Sequence, residues 1–466
     1  MSDSVTDLPP AVDTRLDEDD RLRPEFVRAV MDHVEAGEVD AARALVEPLH
    51  PADIADLFEL VDSEDRRALA EALEEVLGGD VLAEMNEHVR DELMEEFEPH
   101  EVAEAVGEME TDDAVAMLED MEEDEQRAVL RALDPDDRAA IEEALSFPEE
   151  SAGRLMQRDL IAVPEHWTVG HVIDYLRAGD DLTTDFWEVF VVDSRHHPVG
   201  TCMLSWILRT PRHVAVADVM KREQTLIPVD MDQEEVALRF QKYALISAAV
   251  TDGNGRLVGM ITVDDIVHII QEEASEDVLL LSGAGEGDIN QPLGESYRAR
   301  VRWLIANLFT ALVASSVIAF FGAAIEQMVA LAVLMPIVAS IGGNAGTQTM
   351  AVAVRALALN QLTRSNTLRT IGREISIALL NGITIAILIG LGAGLVFWNA
   401  QLGVVIAVAM LINIAIAGLA GVLVPVLLER YDQDPAVASS VFVTMITDSM
   451  GFFAFLGLAV ASGLAG

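Results

Sequence analysis

Lysine is almost missing from this chain of 466 residues: of 30 basic residues only Lys221 and Lys242 are not arginine, against 79 acids. Cysteine is missing except for Cys202, which lies in an apolar run. A lone thiol excludes an intrachain disulfide, fits a reducing cytosol and reads as a small buried hydrophobe. The N-terminus lacks the basic-then-apolar start of a secretory signal, so residues 1–295 are not expected to be exported by that route. No nucleophile–base constellation and no phosphate-cradling loop is present. Gly283-x-Gly285-x-Gly287 follows a helix and is a poor dinucleotide motif, so the chain is not expected to be an enzyme. With a formal net charge of −49 the surface repels phosphate backbones, and nucleic acid is not an expected partner.

What is present divides sharply by charge. Residues 296–466 hold six acids (Glu326, Glu374, Glu429, Asp432, Asp434, Asp448) and eight arginines; the 295 residues before them hold the other 73 acids and 22 basic residues, a net charge of −51. An acidic aqueous region thus precedes a nearly neutral apolar one. A metal site explains a local cluster of carboxylates but not the replacement of lysine by arginine along the whole chain. That combination fits a halophilic protein of archaeal-type composition, whose concentrated counterions screen its self-repulsion.

The texture changes along the chain. Residues 1–21 form an acidic tail expected to be disordered. Residues 22–150 read as an all-α N-terminal domain. Short amphipathic segments (Ala52–Leu60, Arg66–Val76, Val102–Met109, Asp112–Met121) are joined by turns such as His50-Pro51, Asp62-Ser63 and Asp134-Pro135, and both a small solenoid and an ordinary bundle fit. Residues 151–271 alternate strands and helices, and they repeat. Pro198–Ile207 matches Leu257–Ile266, each a strand, a Gly turn (Gly200, Gly259), a second strand and a helix start; Met156…Ile161–Pro164 matches Met220…Leu226–Pro228. The first copy is five residues longer, with the insertion expected around Gly179–Thr184. This α/β tandem pair resembles cystathionine-β-synthase-type (CBS) modules, which pack as a pseudo-dimer and often bind adenine nucleotides or sense ions. Residues 272–297 read as a linker helix and a Gly-rich turn.

Residues 298–466 form a membrane domain with five apolar spans, about 303–321, 327–352, 375–397, 402–428 and 437–464, each long enough to cross a bilayer core of roughly 30 Å. All eight arginines (Arg298, Arg300, Arg302, Arg355, Arg364, Arg369, Arg373, Arg430) fall on one side of these spans. The positive-inside rule makes that side cytoplasmic, so the N-terminus is expected inside and the C-terminus outside a multi-pass cell-membrane protein. Asp448 sits in the middle of the fifth span without a cationic neighbour. A carboxylate at that depth costs roughly 2.5–3.5 kcal/mol to insert and is usually kept for a water path, an ion or a proton. Ser440, Thr444, Asp448 and Gly451 recur at helical spacing as one stripe. In the second span Pro336 and the glycines around Gly342-Gly343-Asn344-Ala345-Gly346 are expected to loosen or break the helix, with Asn344 and Gln348 on one face and Gly342 and Gly346 as a close-packing pair. One carboxylate with hydroxyls, amides and carbonyls, and no histidine or cysteine beside it, suits Mg²⁺ better than a soft metal.

Three motifs together carry a family resemblance: Ser146-Phe147-Pro148-Glu149-Glu150-Ser151-Ala152-Gly153-Arg154-Leu155-Met156, then Pro336…Gly342-Gly343-Asn344-x-Gly346-x-Gln348, then Asp434-Pro435-Ala436…Thr447-Asp448. In this order and with five spans, the chain from about Pro24 onward resembles the MgtE family of magnesium channels. The resemblance implies a homodimer in membrane lipid with its pore at the subunit interface and a plug-like linker helix. It implies that hydrated Mg²⁺ passes Asp448, helped by the Thr444 carbonyl, with Asn344 and Gln348 in the pore. It further implies that cytosolic Mg²⁺, as regulator, closes the pore through Asp232, Glu234, Asp265, Glu273, Glu276, Asp277 and Asp434, and through Asp80 and Asp112 in the helical domain. Three of the family's acid positions are here Ala116, Ala244 and His268. Transport of Co²⁺ or Mn²⁺, coupling of flux to protons or Na⁺, and a CBS-gated membrane sensor that transports nothing remain alternatives to Mg²⁺ transport.

Overall fold

Several helix starts in the acidic region fall where a side chain or a proline can begin a helix. The computed structural model describes residues 15–19, 21–94, 97–119, 121–178, 186–283, 291–362, 365–431 and 433–465. Its first helices are α1 (Pro24–Glu35), α2 (Val39–Val46), α3 (Pro51–Glu59), α4 (Ser63–Leu73), α5 (Gly79–Ala83), α6 (Glu87–Met94), α7 (Pro99–Glu108), α8 (Thr111–Glu119), α9 (Glu123–Ala132) and α10 (Pro135–Ala144). His50 and Asp62 accept from first-turn backbone N–H groups, and Pro51 and Pro135 take the first helical position, where a missing N–H costs nothing. Helix α2 packs on α4, α3 on α5, α5 on α7, α7 on α9 and α8 on α10. With α1 on α2 and α4, and α5 on α8, these contacts bury one continuous apolar core from Leu22 to Ala144. The end of the acidic tail departs from the expected disorder. Leu16 pairs with Leu22, and Arg23 Nε donates to the Leu16 carbonyl at 2.6 Å. An apolar side chain thereby ties residues 15–19 to the core, whereas residues 1–14 lie outside the described residues.

The repeat appears as two sheets of identical topology. The first module contains β1 (Ala162–Pro164), α11 (Val169–Ala178), β2 (Glu188–Val192), β3 (Pro198–Met203), α12 (Leu204–Arg209) and α13 (Val216–Val219). The second contains β4 (Leu226–Pro228), α14 (Gln233–Tyr243), β5 (Ser247–Thr251), β6 (Leu257–Thr262) and α15 (Val263–Ser282). Each central strand pairs in parallel with the strand before it and antiparallel with the one after, and both antiparallel ladders shift register at the same place, Val191/Val192 and Val250/Thr251. The modules exchange edges: Lys221 pairs with Thr201 of β3, and its repeat counterpart Gln157 pairs with Met260 of β6. Gly200 and Gly259 permit this, because a Cβ at Gly200 would lie 2.7 Å from the Lys221 carbonyl oxygen and one at Gly259 would lie 2.9 Å from that of Gln157. The insertion expected at Gly179–Thr184 lies outside the described residues.

Helix α15 begins inside the second module, where Ile266 and Ile269 join the apolar core, and continues unbroken to Ser282. The expected linker helix is therefore the outer part of a longer one. Gly283, at φ +70°, ends it; Gly285 and Gly287 lie outside the described residues.

Residues 1–270 and 271–466 form two compact units. The second holds α16 (Leu293–Phe320), α17 (Gly322–Gln327), α18 (Val329–Ala358), α19 (Thr367–Val396), α20 (Ala400–Arg430) and α21 (Pro435–Ala461), and all but α17 include a stretch long and apolar enough to span a bilayer. The most hydropathic, α20, is also the most enclosed and packs against α18, α19 and α21. The expected break in the second span does not occur: α18 is one continuous helix with Pro336 inside it. Its glycines serve packing instead. Gly342 makes room for the Asn413 amide of α20, Gly346 lies against Val443 and Thr447 of α21, and a Cβ on Gly421 of α20 would lie 2.8 Å from the Gly346 carbonyl oxygen.

Candidate metal centre

Two helix starts carry acids into one place. Glu110 precedes α8 and accepts the Ala114 N–H, with Asp112 and Asp113 in the first turn. At the start of α15, Asp265 accepts from the Thr262 hydroxyl at 2.7 Å, with Asp264 beside it. One carboxylate oxygen from each of Glu110, Asp112 and Asp265 lies within 4.8 Å of the other two. Asp112 is 8 % exposed and its Oδ1 has no hydrogen-bond partner among the described residues. Gln157 is 3 % exposed; its Nε2 donates to Glu110 Oε2 and, at 3.3 Å, to Asp265 Oδ2.

Burial dominates the electrostatics. It pushes Glu110 up to about 7, seconded by the charges of Asp265, Asp113 and Asp264. Asp113 is pushed up to about 6 by burial and then by Asp265 and Glu84, against the pull of Arg90 and His268. Asp112 and Asp265 are also raised, each first by desolvation; the Thr262 hydrogen bonds offset part of the effect at Asp265. Carboxylates this close cannot all ionise without a counter-charge. Octahedral Mg²⁺ at about 2.1 Å from each ligand sets cis oxygens about 3 Å and trans oxygens about 4.2 Å apart, so three oxygens within 4.8 Å fit a small divalent cation after slight contraction.

The structure places each of the other candidates on its own element. Asp80 is exposed in the first turn of α5. Asp232 and Asp434 are exposed N-caps of α14 and α21, accepting from the Glu234 and Ala436 N–H groups at 3.0 and 2.7 Å; Glu234 follows in the first turn of α14. Glu273 and Glu276 lie on α15, and the side chain of Asp277 lies outside the described residues. Of the nine expected sensor acids, Asp112 and Asp265 enter the cluster. The three positions expected to lack the family's acids lie as follows. Ala116 is exposed one turn after Asp112, Ala244 ends α14 at φ +49°, and His268 stands one turn after Asp265. Glu110 and Gln157 are new members. The signal for Glu110 is the acid run it opens with Asp112 and Asp113; the signal for Gln157 is its repeat match to Lys221.

In the membrane unit, Asp448 is half-buried on α21 and makes no hydrogen bond or ion pair among the described residues. One turn earlier the Thr444 carbonyl accepts the Thr447 hydroxyl at 3.1 Å. Asn344 and Gln348 are exposed on the side of α18 away from its buried face of Gly342, Gly346 and Met350. Asn413, missed in the sequence because it is one amide in an apolar run, is fully enclosed. It donates to the Val338 carbonyl at 3.0 Å, and its Oδ1 has no partner among the described residues.

Comparison with known proteins matches residues 335–458 to a family described as a divalent cation transporter (MgtE), residues 49–150 to the MgtE intracellular N domain and residues 216–272 to the CBS domain. Curated relatives described as the magnesium transporter MgtE include those of Enterococcus faecalis (32 % identity, 68 % of this chain and 70 % of the relative), Bacillus subtilis (31 %, 68 % and 70 %) and Thermus thermophilus (33 %, 67 % and 70 %). Among solved structures, the soluble part of a magnesium transporter aligns at 27 % identity and TM-score 0.47, covering 54 % of this chain and 98 % of that one. The cytosolic domain of the Mg²⁺ channel MgtE in complex with ATP aligns at 28 % and 0.48, covering 52 % and 99 %.

Proposed function

The chain belongs to the MgtE family of magnesium transporters, and on that premise we propose that it conducts Mg²⁺ across the cell membrane and is closed by Mg²⁺ bound to its acidic domains. The observation that carries the reading is Asp448. It is a half-buried carboxylate in an apolar span, flanked by Thr444 and Thr447, with no partner among the described residues to offset its charge. A hydrated cation supplies that offset while keeping most of its water, which is how Mg²⁺ prefers to bind. Asn344 and Gln348, exposed on α18, are available to the same path in a homodimer whose pore lies between protomers.

The Glu110–Asp112–Asp265 cluster supports regulation. Carboxylates that repel when empty and are bridged when a cation arrives bias the packing of α8 against α15, so bound Mg²⁺ selects one arrangement. Asp232, Glu234, Glu273, Glu276, Asp277, Asp434 and Asp80 are further regulatory ligands in this reading. Against β2, β3 and β5 of the CBS pair lies a cavity of about 510 Å³ lined by Trp187, Trp206, Tyr243, Lys221 and Ser247, with Glu188 and Glu223 also on its wall. Aromatic faces, a cation and a hydroxyl suit an adenine nucleotide. The one-sided arginines support a cytoplasmic N-terminus and an outside C-terminus by the positive-inside rule, and the acid excess with lysine depletion supports a high-salt cytoplasm.

Purified protein in liposomes at high salt tests the reading. Mg²⁺ influx is expected from wild type and lost, to less than about a hundredth, in Asp448→Ala, with the variant still dimeric and thermally stable. Wild-type flux from that variant rejects the pore assignment. Competition by Mn²⁺ and Co²⁺ sets the selectivity, and collapse of flux on removing a proton or Na⁺ gradient rejects a simple channel.

A further inference from the structure

Gln157 is the neutral member of the acid cluster, and its backbone cannot move away. Its N–H donates to the Met260 carbonyl at 2.8 Å, and its own carbonyl accepts the Met260 N–H at 2.9 Å. The terminal amide can turn without moving the backbone, about a soft sp³–sp² torsion. The amide nitrogen carries two N–H donors. In this structure they reach Glu110, at the start of α8, and Asp265, at the start of α15, in a site from which solvent is excluded at Gln157 itself. Asp112 completes the site but is not reached: its Oδ1, on a side chain more than nine-tenths buried, has no partner among the described residues.

Resting on the reading of this cluster as a divalent-cation site, we propose that the Gln157 amide is a built-in stand-in for the ion. With no cation bound, its N–H groups tie Glu110 to Asp265 and hold the α8–α15 junction partly closed. When a divalent cation arrives the amide turns, offers Oε1 as a neutral ligand, and the ion takes over both carboxylates together with Asp112. The amide answers two of three carboxylates and the cation answers all three. The ion therefore adds a final increment of closure to a junction that is already held. The repeat shows what a full charge at this position looks like, since Lys221 occupies the equivalent edge-strand place in the other half, paired with Thr201. A lysine in place of Gln157 would make the stand-in permanent, and a glutamate would abolish it.

The test is hydrogen–deuterium exchange of residues 110–119 and 263–270 in the full chain in lipid nanodiscs, in EDTA and in saturating MgCl₂. In EDTA, Gln157→Lys is expected to exchange slowest, wild type intermediate and Gln157→Glu fastest, with neighbours in this order separated by about tenfold. In MgCl₂ wild type and Gln157→Glu converge, and Gln157→Lys no longer responds. Equal exchange of all three in EDTA, or slower exchange in Gln157→Glu than in wild type, overturns the proposal. If Gln157→Glu does not fold, Gln157→Lys against wild type decides alone. The ordering in EDTA without any Mg²⁺ response of wild type upholds the amide clamp and rejects the cation site; a Mg²⁺ response without the ordering does the reverse.

Discussion

Glu110 is exposed as a residue, yet partial burial of its carboxyl at the cluster, seconded by the neighbouring acids, pushes it up to about 7 from the ordinary 4.5. Its folded value, like that of Asp113 at about 6, is raised, so each contributes stability to the cation-free junction that is fully present only below the ordinary values of 4.5 and 3.8 and is lost as pH rises from there through about 7 and 6. Mg²⁺ needs the ionised forms, so its affinity runs the other way. Binding to the full chain, followed by calorimetry, should be roughly tenfold weaker at about pH 6 than at about pH 8, as expected when one proton is displaced. Glu110→Gln should flatten that dependence; an unchanged slope would place the titrating group elsewhere. The residue scale also shows what was legible. Asp448 stood out in the sequence by its place in an apolar run; Asp265, and more weakly Asp112, came only from the sensor acids that the resemblance implies. Glu110 and Gln157 came from neither, because what matters in them is a meeting between segments 47 residues apart. Periodicity reports which face a residue occupies and is silent on what that face touches.

At the scale of elements, helix starts and the repeat were readable because each rests on local chemistry: a cap, a proline, a glycine where two backbones approach. The continuity of α18 through Pro336 was not, since tertiary contacts decide it. Its close approach to α20 and α21 outweighs the loss of one N–H, and the glycines expected to weaken the helix permit that approach. Gly421→Ala tests this. Its methyl would lie 2.8 Å from both the Gly346 carbonyl oxygen and Thr349 Cβ. Backbone has little room to yield, so a loss of about 1–3 kcal/mol is expected in unfolding measured in detergent. Gly392→Ala, with nothing within 4 Å, should be silent or slightly stabilising. Equal effects would show that the α18–α20 approach is not tight in the membrane.

The whole molecule joins a region of net charge −51 to one of net +2. Salt screens self-repulsion on that scale, and the Debye length grows to roughly 30 Å at about 0.01 M. The full chain in detergent, followed by circular dichroism, should lose structure from its acidic region in dilute buffer and regain it with KCl. It should respond to MgCl₂ at far lower ionic strength, since a divalent ion bridges carboxylates where K⁺ screens them. Equal potency of the two salts would leave screening sufficient and remove this support for Mg²⁺ sites; full structure in dilute buffer would reject the high-salt reading. The central position of α20 has a further consequence, for biogenesis. Chain order delivers this span, the most hydropathic, to the bilayer immediately before α21, the span that carries Asp448. The span that carries a mid-helix carboxylate thus follows α20, and the surface it will dock against is already in the lipid. Packing can then offset the roughly 2.5–3.5 kcal/mol that a mid-span carboxylate costs during partitioning. A nascent chain stalled before α21 would hold a finished receptor for it, so the acidic helix never has to cross as an orphan.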